Sequence, residues 1–265
     1  MNGPFPRSIA AAIAVAACLA PARLAAADEG RIVIETVRNK QVITYLPPSY
    51  DVDTERRYPV IYLLHGGGGT PQSFIQGNYS GLNIRTTMNN LVMLNVVREM
   101  IIVMPDINNV YRDFIVNDLI PYVDKTYRTF ARRESRGVAG HSRGGCGSFL
   151  LATDHPEVFS AVYGLAASCL DRETEIVEGA ADKGLREPLA ARIANLAPSL
   201  KELKIAFDVG SADNLLRANQ SMSIAMDRAG VKHVFETYPG DHNSGVRQRI
   251  ASKVLPFFSK ELASQ

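Results

Sequence analysis

The sequence contains no tryptophan and only three cysteines in 265 residues. Without Trp it lacks a residue that commonly stacks on sugar rings and nucleobases. No C-x-x-C pair or His/Cys cluster is present, so we expect neither a metal site nor an organic cofactor. The charge is nearly balanced, with 29 basic and 27 acidic residues. A nucleic-acid or anionic-membrane partner is therefore not expected, because both require a strong positive excess.

We interpret residues 1–27 as a secretory signal peptide. Arg7 supplies the positive charge, Ser8–Ala20 is an apolar run, and Ala25–Ala27 is a small-residue cleavage site before a polar segment. The apolar run is too short to span a membrane. Two alternatives stay open. The segment is an Ala-rich first helix of the domain, or it is a lipoprotein signal that anchors the protein through Cys18.

The mature chain, residues 28–265, is expected to be a secreted or periplasmic catalytic domain. Its length suits one α/β domain. Cleavage removes Arg7 and Arg23 and no acidic residue, which brings the formal net charge from +2 to zero. Cys146 and Cys169 remain, and in an exported protein they can form a disulfide. We favour two buried thiols instead, because Cys146 falls within an apolar helix.

Strand-like and helix-like segments alternate along the mature chain, which predicts an α/β fold with a mainly parallel central sheet flanked by helices. The predicted strands are Ile32–Ile34, Val42–Leu46, Val60–Leu64, Met100–Met104, Arg136–Gly140, Ala161–Leu165, Lys204–Val209 and Val234–Tyr238. The predicted helices are Phe114–Tyr127, Cys146–Thr153, Ala218–Ala229 and Ile250–Leu262. Pro121 is expected to bend the first of these. Residues 168–200 are longer than a simple crossover requires, and we interpret them as a small cap over the end of the sheet.

The segment Gly140–Gly145 matches the G-x-S-x-G pattern and stands after a predicted strand and before a predicted helix. A sharp strand-to-helix turn lifts the serine side chain clear of the sheet, and only small residues two positions either side leave room for it. Ser142 is therefore the candidate nucleophile. An ordinary Gly-rich turn would show the same five residues, so the prediction depends on the rest of the machinery.

A serine hydroxyl needs a histidine to take its proton and an acid to orient that histidine, and in this fold the order is Ser, acid, His. His242 lies in a loop after the last predicted strand and is the preferred base over His155 and His233. For the acid, Asp213 follows a strand at its carboxyl end, where active sites of such sheets lie. Asp208 is the competing candidate.

Developing negative charge on the substrate carbonyl requires preorganised N–H donors. His65–Gly69 follows a predicted buried strand, which is the position of the HGGG-type motif in lipases and esterases. We assign one donor to the backbone N–H of Arg143, next to the nucleophile. The other is the N–H of Gly67, with Gly68 as second choice.

With these residues in place, the sequence resembles the esterase D-like branch of the α/β-hydrolases over about residues 40–260. This branch includes feruloyl esterases, acetylxylan esterases, S-formylglutathione hydrolases and mycolyltransferases. The segments that carry the resemblance are Tyr45–Tyr50, Tyr58–Gly66, Val103–Asp106, Leu119–Val123 and His155–Phe159. The resemblance implies a triad of Ser142, Asp213 and His242. It departs from many relatives at Arg143, where they have Met, and at Asn243, near which they have an aromatic residue.

The sequence thus predicts a serine carboxylic ester hydrolase that forms an acyl-enzyme. Its expected partner is a small-molecule or polysaccharide-linked ester, with hydroxycinnamoyl and acetyl esters of polysaccharides leading. Export argues against a cytoplasmic S-formylglutathione hydrolase. One alternative is an acyltransferase that passes the acyl group to a sugar. The other is a non-catalytic binding protein on a hydrolase scaffold. The oligomeric state is not predicted.

Overall fold

The structure is a computed structural model that describes residues 29–79, 81–108, 111–168 and 195–264. Within these ranges eight strands form one sheet. They are β1 Arg31–Val37, β2 Lys40–Leu46, β3 Val60–Leu64, β4 Ile101–Pro105, β5 Arg136–His141, β6 Ala161–Leu165, β7 Lys204–Gly210 and β8 Val234–Tyr238. The predicted signal peptide and most of the predicted cap at 168–200 lie outside the described residues.

The strand order is β1-β2-β4-β3-β5-β6-β7-β8. The pairs β1–β2 and β2–β4 are antiparallel, and every other neighbouring pair is parallel. This arrangement, with helices packed on the sheet, confirms the predicted α/β-hydrolase class. All eight predicted strands are present, three of them with the predicted bounds and the others with ends shifted by up to three residues.

The central strands are apolar throughout because helices cover both faces of the sheet. In β3, Val60, Tyr62 and Leu64 point into one core cluster, whereas Ile61 and Leu63 point into a second cluster on the opposite face. All five side chains are almost completely buried. This explains why the sequence of β3 is a continuous apolar run and does not alternate between apolar and polar residues.

Six α-helices lie in the described residues: α1 Ile84–Met93, α2 Ile120–Thr126, α3 Arg143–Asp154, α4 Leu216–Arg228, α5 Val246–Arg249 and α6 Leu255–Glu261. The predicted helix Phe114–Tyr127 is divided, because a π-helical turn, Phe114–Leu119, precedes α2. Pro121 has no N–H for the regular bond, and the wider turn accommodates it. The same arrangement recurs at Ile250–Val254 before Pro256.

Helix α3 begins three residues earlier than predicted, directly after the presumed nucleophile turn. Its first residues include Gly144 and Gly145, whose low helix propensity conceals the start of the helix in the sequence. Tertiary contacts override this propensity, because both glycines are buried against neighbouring strands. The early start matters because it places the helix amino terminus at Arg143.

Our preference for buried free thiols was wrong for Cys146. This residue is completely buried in α3, as expected, but it is disulfide-bonded. Its partner lies outside the described residues. Burial in an apolar helix therefore did not exclude a disulfide, because the bond occupies little more space than the two sulfur atoms.

Candidate active site

A strained turn carries Ser142 between β5 and α3. Its backbone has φ 56° and ψ −118°, a left-handed conformation that is costly for a residue with a side chain. The neighbouring chains approach closely. A Cβ at Gly140 would lie 2.4 Å from the Gly144 backbone, and a Cβ at Gly144 would lie 2.3 Å from the carbonyl oxygen of Leu64. The glycines on each side of the serine are therefore required by space.

The structure brings Ser142, His242 and Asp213 into one hydrogen-bonded chain. His242 Nε2 lies 2.8 Å from Ser142 Oγ, and His242 Nδ1 lies 2.9 Å from Asp213 Oδ2. A carboxylate only accepts, so Nδ1 carries the proton and Nε2 is left to accept the serine hydroxyl proton. This is the tautomer that a general base requires.

Asp213 lies where its loop leaves the carboxyl end of β7. Its side chain is fully buried, and its second oxygen, Oδ1, accepts the N–H of Leu215 at 2.9 Å. Both carboxylate oxygens are thereby oriented. The competing candidate, Asp208, is inside β7 and points elsewhere: it pairs with Arg249 and accepts the hydroxyl of Tyr163 at 3.1 Å.

The loop that carries His242 is shaped by the residue before it. Asp241 Oδ1 accepts the N–H groups of Asn243 and Ser244 at 3.1 and 2.9 Å, and the Ser244 hydroxyl at 2.7 Å. Asp241 therefore organises the turn and does not compete with Asp213. Gly240, at φ 142°, permits the sharp entry into this turn.

The other two candidate histidines lie outside this arrangement. His155 ends α3 and faces Glu157, with 3.3 Å between Nδ1 and Oε1. His233 is held between the Ser223 hydroxyl and the carbonyl of Val231, at 2.7 and 3.0 Å. Neither histidine contacts Ser142, and the hydrogen bonds of His233 hold it at the start of β8.

The glycine loop after β3 is fixed by two side chains. His65 Nδ1 donates to the carbonyl of Gly66 at 2.9 Å, and its Nε2 accepts the N–H of Ile107 at 3.1 Å. Burial lowers the pKa of His65, which keeps it neutral in this role. The N–H of Gly66 donates to the Tyr79 hydroxyl at 2.7 Å. Gly66 is therefore occupied and cannot serve as the oxyanion donor.

The N–H groups of Gly67 and Arg143 donate to no acceptor within the described parts of the chain. Gly67 also has open space on the side where a Cβ would stand. Gly68, the second choice, adopts φ 71° and is equally open. The amino terminus of α3, the positive end of its helix dipole, lies at Arg143 beside these N–H groups. These groups can stabilise a developing oxyanion.

The Arg143 guanidinium supports the glycine loop. Its Nη2 donates to Asn108 Oδ1 at 2.7 Å, and Asn108 Nδ2 donates to the carbonyl of Gly69 at 3.3 Å. No carboxylate of the described residues lies within 4.0 Å of the guanidinium. A methionine at this position could not make the bond to Asn108.

An open cleft of about 380 Å³ lies over the nucleophile. Its described lining is polar or backbone, and it consists of Gly66, Gly67, Gly68, Gly69, Ser73, Asn78, Tyr79, His141, Ser142, His242 and Asn243. A substrate in this part of the cleft would meet N–H groups, hydroxyls and amides. No helix among the described residues has the length and apolar character needed to cross a membrane. Nor do the described His, Cys, Asp and Glu side chains form a group that could hold a metal ion.

Three residues of this site, His141, Tyr79 and Asn108, had no role predicted from the sequence. His141 occupies the variable position before the serine in G-x-S-x-G, and its contacts are decided by the fold. Tyr79 lies in a loop without any pattern that distinguishes it from other surface tyrosines. Asn108 likewise carries no sequence signal, because its importance comes from Arg143 and Gly69 reaching it.

The fold and this site define an α/β-hydrolase. The sequence model of the Esterase family matches residues 35–246, and the chain belongs to this family. An esterase of Mycobacterium tuberculosis is 31% identical over 132 residues, which cover 44% of this chain and 26% of that protein. Endo-1,4-beta-xylanase Y of Acetivibrio thermocellus is 31% identical over 137 residues, covering 44% and 12%. The chain thus spans about a quarter or less of these relatives.

Solved structures resemble the chain over most of its length. A ferulic acid esterase superposes with a TM-score of 0.76 at 25% identity, covering 89% of this chain and 99% of that one. A feruloyl esterase module from Clostridium thermocellum, complexed with sinapinate, gives 0.71 at 24% identity, covering 90% and 91%. S-formylglutathione hydrolase from Staphylococcus aureus superposes with a TM-score of 0.69 at 19% identity, covering 87% of this chain and 96% of that one. The predicted resemblance to the esterase D-like branch is confirmed.

Proposed function

We propose that this protein hydrolyses carboxylic esters through an acyl-enzyme formed on Ser142, with His242 as the base and Asp213 as its orienting acid. The observation that carries the proposal is the continuous hydrogen-bonded chain from Ser142 Oγ to His242 to Asp213, at 2.8 and 2.9 Å. It lies beside the free N–H groups of Gly67 and Arg143. Groups suited to act as nucleophile, base and oxyanion donors thus lie close together, which supports the proposal.

In the first step, His242 Nε2 takes the hydroxyl proton as Ser142 Oγ attacks the ester carbonyl carbon. The carbonyl oxygen becomes an oxyanion and accepts the N–H groups of Gly67 and Arg143. Asp213 stabilises the imidazolium that forms. His242 then gives the proton to the alcohol oxygen, and the carbon–oxygen bond breaks.

In the second step, water takes the place of the alcohol. His242 removes a proton from the water, whose oxygen attacks the acyl carbon, and the same N–H groups hold the second oxyanion. Collapse returns the proton from His242 to Ser142 Oγ and frees the carboxylic acid. The active-site groups are then in their starting protonation states.

For the substrate, we propose hydroxycinnamoyl or acetyl esters of polysaccharides. Support comes from the solved ferulic acid and feruloyl esterases, which cover nearly the whole domain. The polar described lining of the cleft, with Asn78 and Asn243 at its rim, suits a hydroxylated alcohol. A panel of nitrophenyl esters of increasing acyl length, together with methyl ferulate, separates the two acyl groups. Activity on acetyl alone would remove the hydroxycinnamoyl reading.

We also propose that residues 1–27 are removed during export and that 28–265 is the mature catalytic domain. The disulfide at Cys146 supports this, because disulfides persist in oxidising compartments. The mass of the mature amino-terminal peptide tests the proposal. An amino terminus at Asp28 is expected, whereas a lipid-modified amino terminus at Cys18 would show anchoring instead.

The catalytic proposal is tested with purified protein and a fluorophosphonate probe. Wild-type protein should be labelled at Ser142 and should hydrolyse nitrophenyl acetate. The Ser142→Ala variant should do neither while keeping its circular dichroism spectrum and melting temperature. A folded wild-type protein that is neither labelled nor active would instead favour the binding-protein alternative.

A further inference from the structure

We propose that His141 is a positioning residue that holds the catalytic base in place. This inference rests on the proposed function, because it concerns how His242 is kept in register with Ser142. His141 is the last residue of β5 and immediately precedes the nucleophile. Its side chain reaches across to the loop of His242, which comes from a different part of the sheet.

The contact between the two histidines is a hydrogen bond from side chain to backbone. His141 Nε2 lies 3.0 Å from the carbonyl oxygen of His242. A carbonyl oxygen can only accept, so Nε2 must carry a proton and donate it. The two rings also pack together, with centroids 5.0 Å apart and 40° between their planes. One side chain thus contacts both the backbone and the ring of the base.

The other side of the ring faces the oxyanion loop. His141 packs edge-on against Tyr79, with ring centroids 5.5 Å apart, and Tyr79 accepts the N–H of Gly66. A Cβ at Gly66 would lie 3.1 Å from His141 Nδ1. The imidazole therefore fills the space between the base loop and the oxyanion loop, while its backbone continues into the nucleophile turn.

His141 is suited to this role because it stays neutral. It is 3% exposed, and burial lowers its pKa to about 4. Its Nδ1 has no hydrogen-bond partner among the described residues, so the buried ring depends on the single bond to the His242 carbonyl. Burying a polar ring with one unpaired nitrogen lowers the stability of the fold, whereas an apolar side chain in the same place would not carry this cost.

The base needs such a tether. The His242 side chain is 29% exposed and stands on a loop after β8, an edge strand with mostly exposed side chains. Asp213 orients the imidazole ring, but nothing in that bond fixes the backbone behind it. A displacement of about 1 Å at a reacting group lowers rates about 100-fold. The bond from His141 restrains this displacement.

The test compares two substitutions of His141. In His141→Gln, the amide nitrogen occupies the place of Nε2 and can still donate. In His141→Phe, the ring remains but the donor is lost. The control is His233→Phe, which removes a half-buried histidine with two hydrogen bonds just before the amino-terminal end of β8, away from the strand ends that carry the site. For each variant we would measure kcat and KM with nitrophenyl acetate, fluorophosphonate labelling rate and melting temperature.

We expect His141→Phe to lower kcat and the labelling rate about 10- to 100-fold, with KM changed less than threefold. His141→Gln should recover most of the loss. His233→Phe should lower the melting temperature and leave kcat unchanged. A structural role alone would change the melting temperature without a drop in kcat of the folded protein. If His141→Phe fails to fold, His141→Leu carries the same comparison.

The inference is overturned if folded His141→Phe, or the Leu variant in its place, keeps wild-type kcat. It is equally overturned if His141→Gln is as slow as the variant without a donor. Both outcomes require an active wild-type enzyme. A wild-type protein that is neither labelled nor active would instead contradict the proposed function, so the two failures are distinguishable.

Discussion

Asp208 and Asp213 are five positions apart, and their contacts differ: Asp208 pairs with Arg249, whereas Asp213 accepts from His242. We predict that replacing each by Asn separates stability from catalysis. Asp208→Asn should destabilise the protein and leave the turnover of the folded molecules nearly intact. Asp213→Asn should nearly abolish turnover and change stability little. Asn matches Asp in size, so both changes remove charge without creating a cavity.

The stability effect at Asp208 follows from its burial. The side chains of Asp208 and Arg249 are 4% and 8% exposed, and the guanidinium already has two nitrogens without a partner in the described structure. In Asp208→Asn the amide oxygen can still accept one guanidinium N–H, but the Arg249 charge loses its paired carboxylate and keeps its position over the Tyr238 ring, 3.9 Å from the centroid. Removing one partner of a buried pair costs about 3–5 kcal/mol. For a domain of this size that corresponds to a fall of about 10 °C in Tm.

The catalytic effect at Asp213 follows from the tautomer of His242. An amide at this position can donate its own N–H to His242 Nδ1. The imidazole proton is then on Nε2, and Nε2 can no longer accept the hydroxyl proton of Ser142. The equivalent change in serine proteases lowers kcat about 10⁴-fold. The bond from the Leu215 N–H to Oδ1 can be kept by the amide oxygen, so stability should change by less than about 1 kcal/mol.

Urea unfolding followed by circular dichroism gives the stability of both variants, and nitrophenyl acetate hydrolysis under conditions where each variant is folded gives kcat per mole of protein. Wild type and Ser142→Ala serve as references for full and absent activity. The reasoning is refuted if Asp213→Asn retains more than a tenth of wild-type kcat. It is also refuted if Asp208→Asn is as stable as wild type but inactive, which would make Asp208 the orienting acid.

Three further predictions test the turn, the buried histidine and the disulfide. Gly144→Ala should lower the free energy of unfolding by about 1–3 kcal/mol or more, because its Cβ would meet the Leu64 carbonyl oxygen at 2.3 Å. Gly67→Ala should change the urea midpoint little, because there is open space where its Cβ would stand. Equal effects of the two substitutions on the urea midpoint would contradict this prediction. The pKa of His141 is lowered from 6.5 to about 4, so the unfolded chain binds the extra proton between these values and stability falls as pH decreases through this window. Urea titrations at pH 6.5 and 4 should show wild type losing about 3 kcal/mol more than His141→Gln, and parallel losses would show that the histidine is not buried neutral. Reduction of the Cys146 disulfide should lower the free energy of unfolding by about 2–4 kcal/mol. Peptide mapping without reductant should find Cys146 linked to another cysteine, and a free thiol at Cys146 would refute the disulfide.

The local pattern of the sequence determined the order of the elements. Val60–Leu64, Ala161–Leu165 and Val234–Tyr238 were predicted with the bounds that the structure shows, because short apolar or β-branched runs between turn signals specify strands locally. The segment Gly140–Gly145 similarly predicted the turn at Ser142, because the turn requires small residues at positions next to the serine in the sequence. Helix ends were less predictable where packing overrides propensity, as at the glycines that open α3.

The identity of the partners was decided by the tertiary structure. The sequence favoured Asp213 and kept Asp208 as a competitor, and the direction of each side chain from β7 and its loop shows which of the two contacts His242. The roles of His141 and Tyr79 arise from contacts between segments far apart in the chain. The bond from His141 to the carbonyl of His242 spans 101 positions. Such contacts depend on which strand ends meet at one edge of the sheet, and no local spacing contains that information.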